Sequence, residues 1–146
     1  MMDLTLFDHP FLFGSDLSSR AIEISAANAR RAGVESFIRF RQGNLSVLTP
    51  DALTSWTGFE RHLVICNPPY GERMLDSSQA EAIYRIIGQN FLDCGQVRAG
   101  IRLSVITPHE QFETIAGGCA DKRRKLYNGM IRCTLHHYFK TRRTST

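Results

Sequence analysis

The chain has no apolar run long enough to cross a membrane; the longest, Leu63-Val64-Ile65-Cys66, suits a buried strand instead. It also lacks a basic segment ahead of an apolar stretch at Met1-Met2-Asp3-Leu4, so no secretory signal is read there and a cytoplasmic protein is the default expectation. The four cysteines (Cys66, Cys94, Cys119, Cys133) contain no Cys-x-x-Cys pair, and the five histidines complete no zinc spacing, so no metal site is expected. Cys66 and Cys133 fall in strand patterns and read as small buried hydrophobes. There are no internal repeats and no low-complexity segments. Acidic residues are almost missing from one end: residues 121–146 carry Asp121 against eight Lys/Arg, while residues 1–120 carry thirteen Asp/Glu against ten Lys/Arg. A segregated basic end points to a polyanionic partner, with a solvated terminal segment as the equal alternative on charge alone.

What is present is an ordinary globular composition, 42% hydrophobic and 22% charged over 146 residues, enough for one domain and its core but not for two. Residues 1–10 read as an N-terminal extension, 11–139 as the core and 140–146 as a basic tail. Phe11-Leu12-Phe13 is a short strand running into Gly14-Ser15-Asp16. A helix follows over about Ser18–Ala32, capped by Ser18 or Ser19 and stopped by Gly33. Phe37–Gln42 alternates, Ile38 and Phe40 against Arg39 and Arg41, and reads as a strand. A polar stretch through Trp56 leads to the strand Leu63–Cys66. The next helix spans about Ser78–Asp93, with Ser78 and Glu81 as a capping box, Ile83, Ile86, Ile87 and Phe91 as its buried stripe, and Gly95 as its end. Ile101–Ile106 is a further strand, closed by Thr107-Pro108, and His109–Ala116 a short helix. Lys125-Leu126-Tyr127 and Ile131–Phe139 flank Asn128-Gly129, a strong hairpin signal.

Strands alternating with helices predict an α/β fold whose mainly parallel sheet is covered on both faces and ends in an antiparallel hairpin. Ligands of such sheets bind at the carboxyl ends of the strands. Asp16, Asn44 and Asn67 all fall there.

Asn67-Pro68-Pro69-Tyr70 is the sharpest chemical feature. Two prolines fix the backbone and remove two N–H donors, leaving carbonyl acceptors held in place. The Asn67 side-chain oxygen and the Pro68 carbonyl can then accept both protons of a planar amino group. That draws the nitrogen lone pair out of conjugation and aims it at an electrophilic methyl. Tyr70 offers a ring for a base to stack on, a contact worth about 1–3 kcal/mol. The plain alternative is a strand-to-turn junction, since Asn-Pro is a common turn dipeptide. Asp16 is placed to hold ribose hydroxyls, or simply to cap the following helix. Asn44 can read an adenine edge or make a turn. In His136-His137 one ring is expected in the core and the other exposed. Lys122-Arg123-Arg124-Lys125 beside Tyr127 and Asn128 reads as an RNA-facing hairpin or as a solubilising run.

Three stretches carry a family resemblance: Gly14-Ser15-Asp16 with Arg20-Ala21-Ile22 and Asn28-Ala29; Asn67-Pro68-Pro69-Tyr70-Gly71-Glu72-Arg73; and Leu126-Tyr127-Asn128-Gly129-Met130-Ile131. With them the chain resembles the methyltransferase domain of bacterial THUMP-containing 23S ribosomal RNA guanine-N2 methyltransferases, from about Phe13 to Tyr138. The resemblance implies a Rossmann-like class I fold, S-adenosylmethionine as cofactor and large-subunit ribosomal RNA as substrate. Asp16 would hold the cofactor ribose and Leu17 flank its adenine, with Asn44 and Leu45 completing the cofactor set. Asn67, Pro68, Pro69 and Tyr70 would hold the target guanine, flipped from its stack. Arg73 and the hairpin residues Lys122, Arg123, Arg124, Lys125 and Asn128 would meet RNA. One departure is Asn44, where the family more often has Asp.

A larger departure is the lack of the first central strand and its glycine-rich turn, which cradles the methionine half of the cofactor. Phe11–Asp16 matches the family's second strand. The expectation is therefore a truncated chain, weak or inactive alone, whose sheet a missing segment or a partner chain would complete. The alternatives are a DNA adenine or cytosine amino methyltransferase and a non-catalytic RNA-binding remnant. A protein-glutamine methyltransferase shares the Asn-Pro-Pro-Tyr tetrapeptide but is disfavoured by the basic hairpin.

Overall fold

A pair of parallel strands joined by a helix forms most of the first of two compact units, Met1–Val47; the second is Leu48–Thr146. The computed structural model describes residues 9–69 and 77–141. In the first unit β1 (Leu12–Asp16) crosses through α1 (Ser19–Arg31) to β2 (Ile38–Gln42), a βαβ element in register from Leu12↔Ile38 to Asp16↔Gln42. The Ser18 hydroxyl caps α1 by accepting from the Ala21 amide at 3.2 Å. Arg30 and Arg31 complement the dipole in its last turn, and Gly33 leaves it at φ +73°. A 3₁₀ turn, Glu35–Phe37, occupies the start expected for β2. Along β2, Ile38 and Phe40 are half-buried while Arg39 and Arg41 are exposed, the expected alternation. A Cβ at Gly14 would meet the Phe40 ring at 2.9 Å, so the small residue lets Phe40 lie across β1.

The second unit opens with a helix where a polar stretch was expected: α2 (Pro50–Thr57), capped by Thr49, with Pro50 in its first turn and Gly58 closing it at φ 78°. Next come β3 (His62–Cys66), α3 (Ser77–Phe91), β4 (Leu92–Asp93), β5 (Gln96–Val97), β6 (Ile101–Thr107), α4 (Phe112–Ala116), β7 (Lys122–Asn128) and β8 (Ile131–Tyr138). Strand order in the main sheet is β3-β6-β8-β7: β3 and β6 are parallel, and β8 is antiparallel to both its neighbours.

Several boundaries differ from expectation. Helix α3 already includes Ser77, so Ser78 does not cap it, and Glu81 instead pairs with Arg85 one turn on. Its buried stripe is Ala80, Tyr84, Ile87 and Phe91, with Ile83 and Ile86 only half-buried. Gly95 does not end the helix. It shares with Cys94 (φ 48° and 80°) the two-residue turn of the β4–β5 hairpin, where both positions need positive φ. The β7–β8 loop is Gly129-Met130 rather than Asn128-Gly129, because Asn128 pairs with Ile131; Gly129, at φ 63°, then takes the first central position of the turn.

Most of the core lies on one face of this sheet, with Cys133 of β8 buried on the other. Leu103, Val105 and Thr107 of β6 and His136 and Tyr138 of β8 are buried on the first face with Tyr84, Ile87 and Phe91 of α3 and Phe112 of α4. Phe112 meets Tyr84 edge-on at 5.2 Å and His136 at 4.8 Å. On the other face Leu63 and Ile65 are 64% and 69% exposed, although their apolar run reads as a buried strand.

Candidate functional site

In the first unit four residues named from the sequence gather at the carboxyl ends of β1 and β2. Asp16 ends β1 opposite Gln42, and the Gly43 amide donates to the Asp16 carbonyl at 3.0 Å. The Gln42 Nε2 donates to the Leu17 carbonyl at 3.1 Å, tying the two strand ends together. Asp16 Oδ1 accepts from the Ser18 amide at 2.7 Å, holding the carboxylate at the mouth of α1 while Ser18 does the capping. Leu17 is 69% exposed beside it. Asn44 Oδ1 accepts from the Ser46 amide at 2.9 Å in a tight turn, and Leu45 begins the 3₁₀ turn Leu45–Val47. This set offers a carboxylate to accept from a diol, an exposed apolar side chain for a flat base, and an amide for its edge.

In the second unit Asn67 follows β3 directly, exposed, while Pro68 is buried and Pro69 exposed. Pro68 is thus the buried residue of the corner, between an exposed Asn67 and an exposed Pro69. Burial pushes the Cys66 thiol just behind it up to about 11, so that thiol stays neutral and inert. The neighbouring end of β6 brings Thr107, Pro108 and His109 to the same edge of the sheet. Thr107 Oγ1 bonds the Tyr84 hydroxyl at 2.8 Å and accepts from the His109 amide at 3.1 Å. His109 was not singled out from the sequence; its position after a proline-closed apolar strand is the signal available for finding it. Tyr70 and Arg73 lie outside the described residues. Two concavities elsewhere in this unit are lined by Thr49, Asp51, Asn90 and Arg98, and by Arg61, Leu63, Arg102 and Phe139. The second sits at the amino ends of β3 and β6, opposite Asn67.

The basic run lies within β7, every residue of which is exposed. Lys122, Arg124 and Asn128 share one face of the strand, Arg123, Lys125 and Tyr127 the other. Arg123 is paired through Nε and Nη2 with both oxygens of Glu113. Glu113 also accepts from the Ala120 amide at 2.6 Å and from His136 Nδ1 at 2.8 Å. His136 is buried and His137 half-buried on the opposite face, where its Nδ1 meets Ser104 Oγ at 2.8 Å. Glu113 had no role in the sequence reading, since nothing in its position along a short helix marks it as the acceptor for two strands.

Two βαβ elements with polar groups at the strand ends define a Rossmann-like fold of the kind that binds nucleotide cofactors. The chain belongs to the RMKL-like, methyltransferase domain family (UPF0020), whose model matches residues 5–137. It is 34% identical over 136 residues to the "Putative RNA methyltransferase YpsC" of Bacillus subtilis (strain 168), covering 91% of this chain and 32% of YpsC. It is also 34% identical over 125 residues to the ribosomal RNA large subunit methyltransferase K/L of Legionella pneumophila (strain Philadelphia 1), covering 86% of this chain and 16% of that protein. Among solved structures it matches SMU.472 complexed with SAH at TM-score 0.75 and 31% identity, over 90% of this chain and 32% of that one. A METTL16 methyltransferase domain matches at TM-score 0.57 and 15% identity over 86% of this chain and 60% of that one, a likeness of fold alone. The chain thus spans about a third of YpsC and about a sixth of the K/L protein.

Proposed function

We propose that the chain is catalytic sequence of an S-adenosylmethionine-dependent methyltransferase that modifies an exocyclic amino group of a nucleic-acid base, guanine N2 of large-subunit ribosomal RNA. The observation that carries this reading is the corner after β3, an exposed Asn67 followed by a buried Pro68. Asn67 Oδ1 and the Pro68 carbonyl accept the two amino protons, Pro69 keeps the loop from relaxing, and Tyr70 stacks on the base. When bound, S-adenosylmethionine supplies the electrophilic methyl group. Holding nitrogen and carbon in attack geometry contributes about 7–11 kcal/mol of the barrier, and no nucleophilic side chain or metal is required.

For the cofactor, Asp16 accepts from the ribose hydroxyls and Leu17 and Leu45 flank the adenine. Asn44, whose oxygen already serves Ser46, offers its Nδ2 donor to a ring nitrogen. Arg73, Lys122, Arg124, Lys125 and Asn128 meet RNA, with Arg123 contributing the half of its side chain that its pair with Glu113 leaves exposed. RNA of the ribosome implies a cytoplasmic setting, and no helix among the described residues is long and apolar enough to cross a membrane. The test is to place this chain in YpsC in place of its matching residues and follow methyl transfer. Transfer to ribosomal RNA and not to DNA is expected; DNA as the preferred acceptor would overturn the substrate assignment.

A further inference from the structure

Strand direction brings the β7–β8 turn to the same end of the second unit's sheet as Asn67. β8 is antiparallel to β6 and to β7, and β6 is parallel to β3, so β7 runs the same way as β3. The β6 ladder stops at Thr107, opposite Thr134, whereas β7 and β8 continue paired to Asn128 and Ile131. Those three further pairs carry the hairpin about 10 Å beyond the end of β6, at about 3.4 Å per residue.

The overhang is not a neutral extension. Tyr127 is 73% exposed and Met130, at the turn, 98%. Arg132 stands directly across the ladder from Tyr127, and Lys125 lies two residues back on the same face. Both cations are exposed, and residues 122–146 contain no acidic side chain to neutralise them. An aromatic ring between two cations on a projecting arm fits an unpaired base with its flanking phosphates. A duplex does not fit, because its bases have no free face to offer the ring.

We propose that this tip is a stacking platform for an unpaired base in a single-stranded or loop segment of the RNA substrate, beside the nucleotide presented at Asn67. Tyr127 supplies the ring, Lys125 and Arg132 take the phosphates on either side, and Met130 covers the base edge. The platform rests on the reading of RNA as substrate.

The test is fluorescence anisotropy of the 146-residue chain with an unstructured RNA of about 12 nucleotides, free or annealed to its complement, across a range of salt. For the single strand, Tyr127→Ala loses about 5- to 160-fold in affinity, while Tyr127→Phe, which keeps the ring, stays close to the parent. Duplex affinity is unaffected by either change. Lys125→Gln and Arg132→Gln each flatten the log–log salt slope by about 0.7, and Tyr127→Ala leaves it unchanged. If Tyr127→Ala binds the single strand as tightly as the parent, or loses equally on the duplex, the platform is wrong while RNA binding stands. If the parent chain shows no salt-dependent binding to either RNA, the RNA reading fails and the platform with it.

Discussion

Glu113 gathers four donors from three places in the chain: two from Arg123, one from the Ala120 amide and one from His136. Burial by itself would raise its carboxyl, but the hydrogen bonds from Arg123, Ala120 and His136 win and hold it at about 2, against an ordinary 4.5. Its contribution to stability is therefore complete above about pH 4.5 and lost as pH falls from there toward 2. Burial lowers the His136 pKa from its ordinary 6.5, with Glu113 opposing only part of that. The unfolded ring takes a proton below about 6.5 that the folded one resists, so His136 acts with the same sign, starting higher. The melting temperature should fall steadily from pH 7 to pH 4 and more steeply below. Glu113→Ala should cost about 2–4 kcal/mol at neutral pH and remove the steep limb, because the buried His136 and the Ala120 amide lose their acceptor. A melting profile unchanged by that substitution would show that the clamp holds nothing. At this scale a residue's role is legible in the sequence where it is local: Ser18 caps α1, and His136 and His137 divide between faces. Glu113 escapes it because its partners are ten and twenty-three residues away.

Among the elements, strands and long helices were legible because a two- or three-to-four-residue period reports burial directly. What failed was assignment at the ends. Helix α2 was hidden because only Leu53 of its eight residues is buried, so no apolar stripe announces it, although Thr49-Pro50 and Gly58 mark both its ends. The β4–β5 hairpin is too short to show alternation. The β7–β8 turn slips by one residue because Asn-Gly supports positive φ at either place, and strand pairing, not turn chemistry, decides the register. Helix α3 meets α4 so closely that a Cβ at Gly88 would overlap the Ala116 carbonyl. Gly88→Ala should therefore destabilise the protein by about 1–3 kcal/mol despite the better helix propensity of alanine, and denaturant unfolding reads this directly. A more stable Gly88→Ala protein would mean that the two helices separate freely.

Over the whole molecule, the order of strands and helices is more legible in the sequence than the role of any single residue. The alternation of strands and helices puts Asp16, Asn44 and Asn67 near strand ends: Asp16 closes β1, Asn44 lies two residues beyond β2 and Asn67 follows β3. Charge was less informative: the basic run was visible, but not that it forms an exposed strand with Arg123 turned to Glu113. The central claim is that Asn67 grips the amino group that is methylated. It is tested most directly by Asn67→Ala in the YpsC graft, following methyl transfer to ribosomal RNA and cofactor affinity together. Loss of one preorganised partner of the reacting group predicts a fall in turnover of about 10²–10³-fold, with cofactor affinity unchanged. Turnover retained at nearly the parent rate would contradict the account.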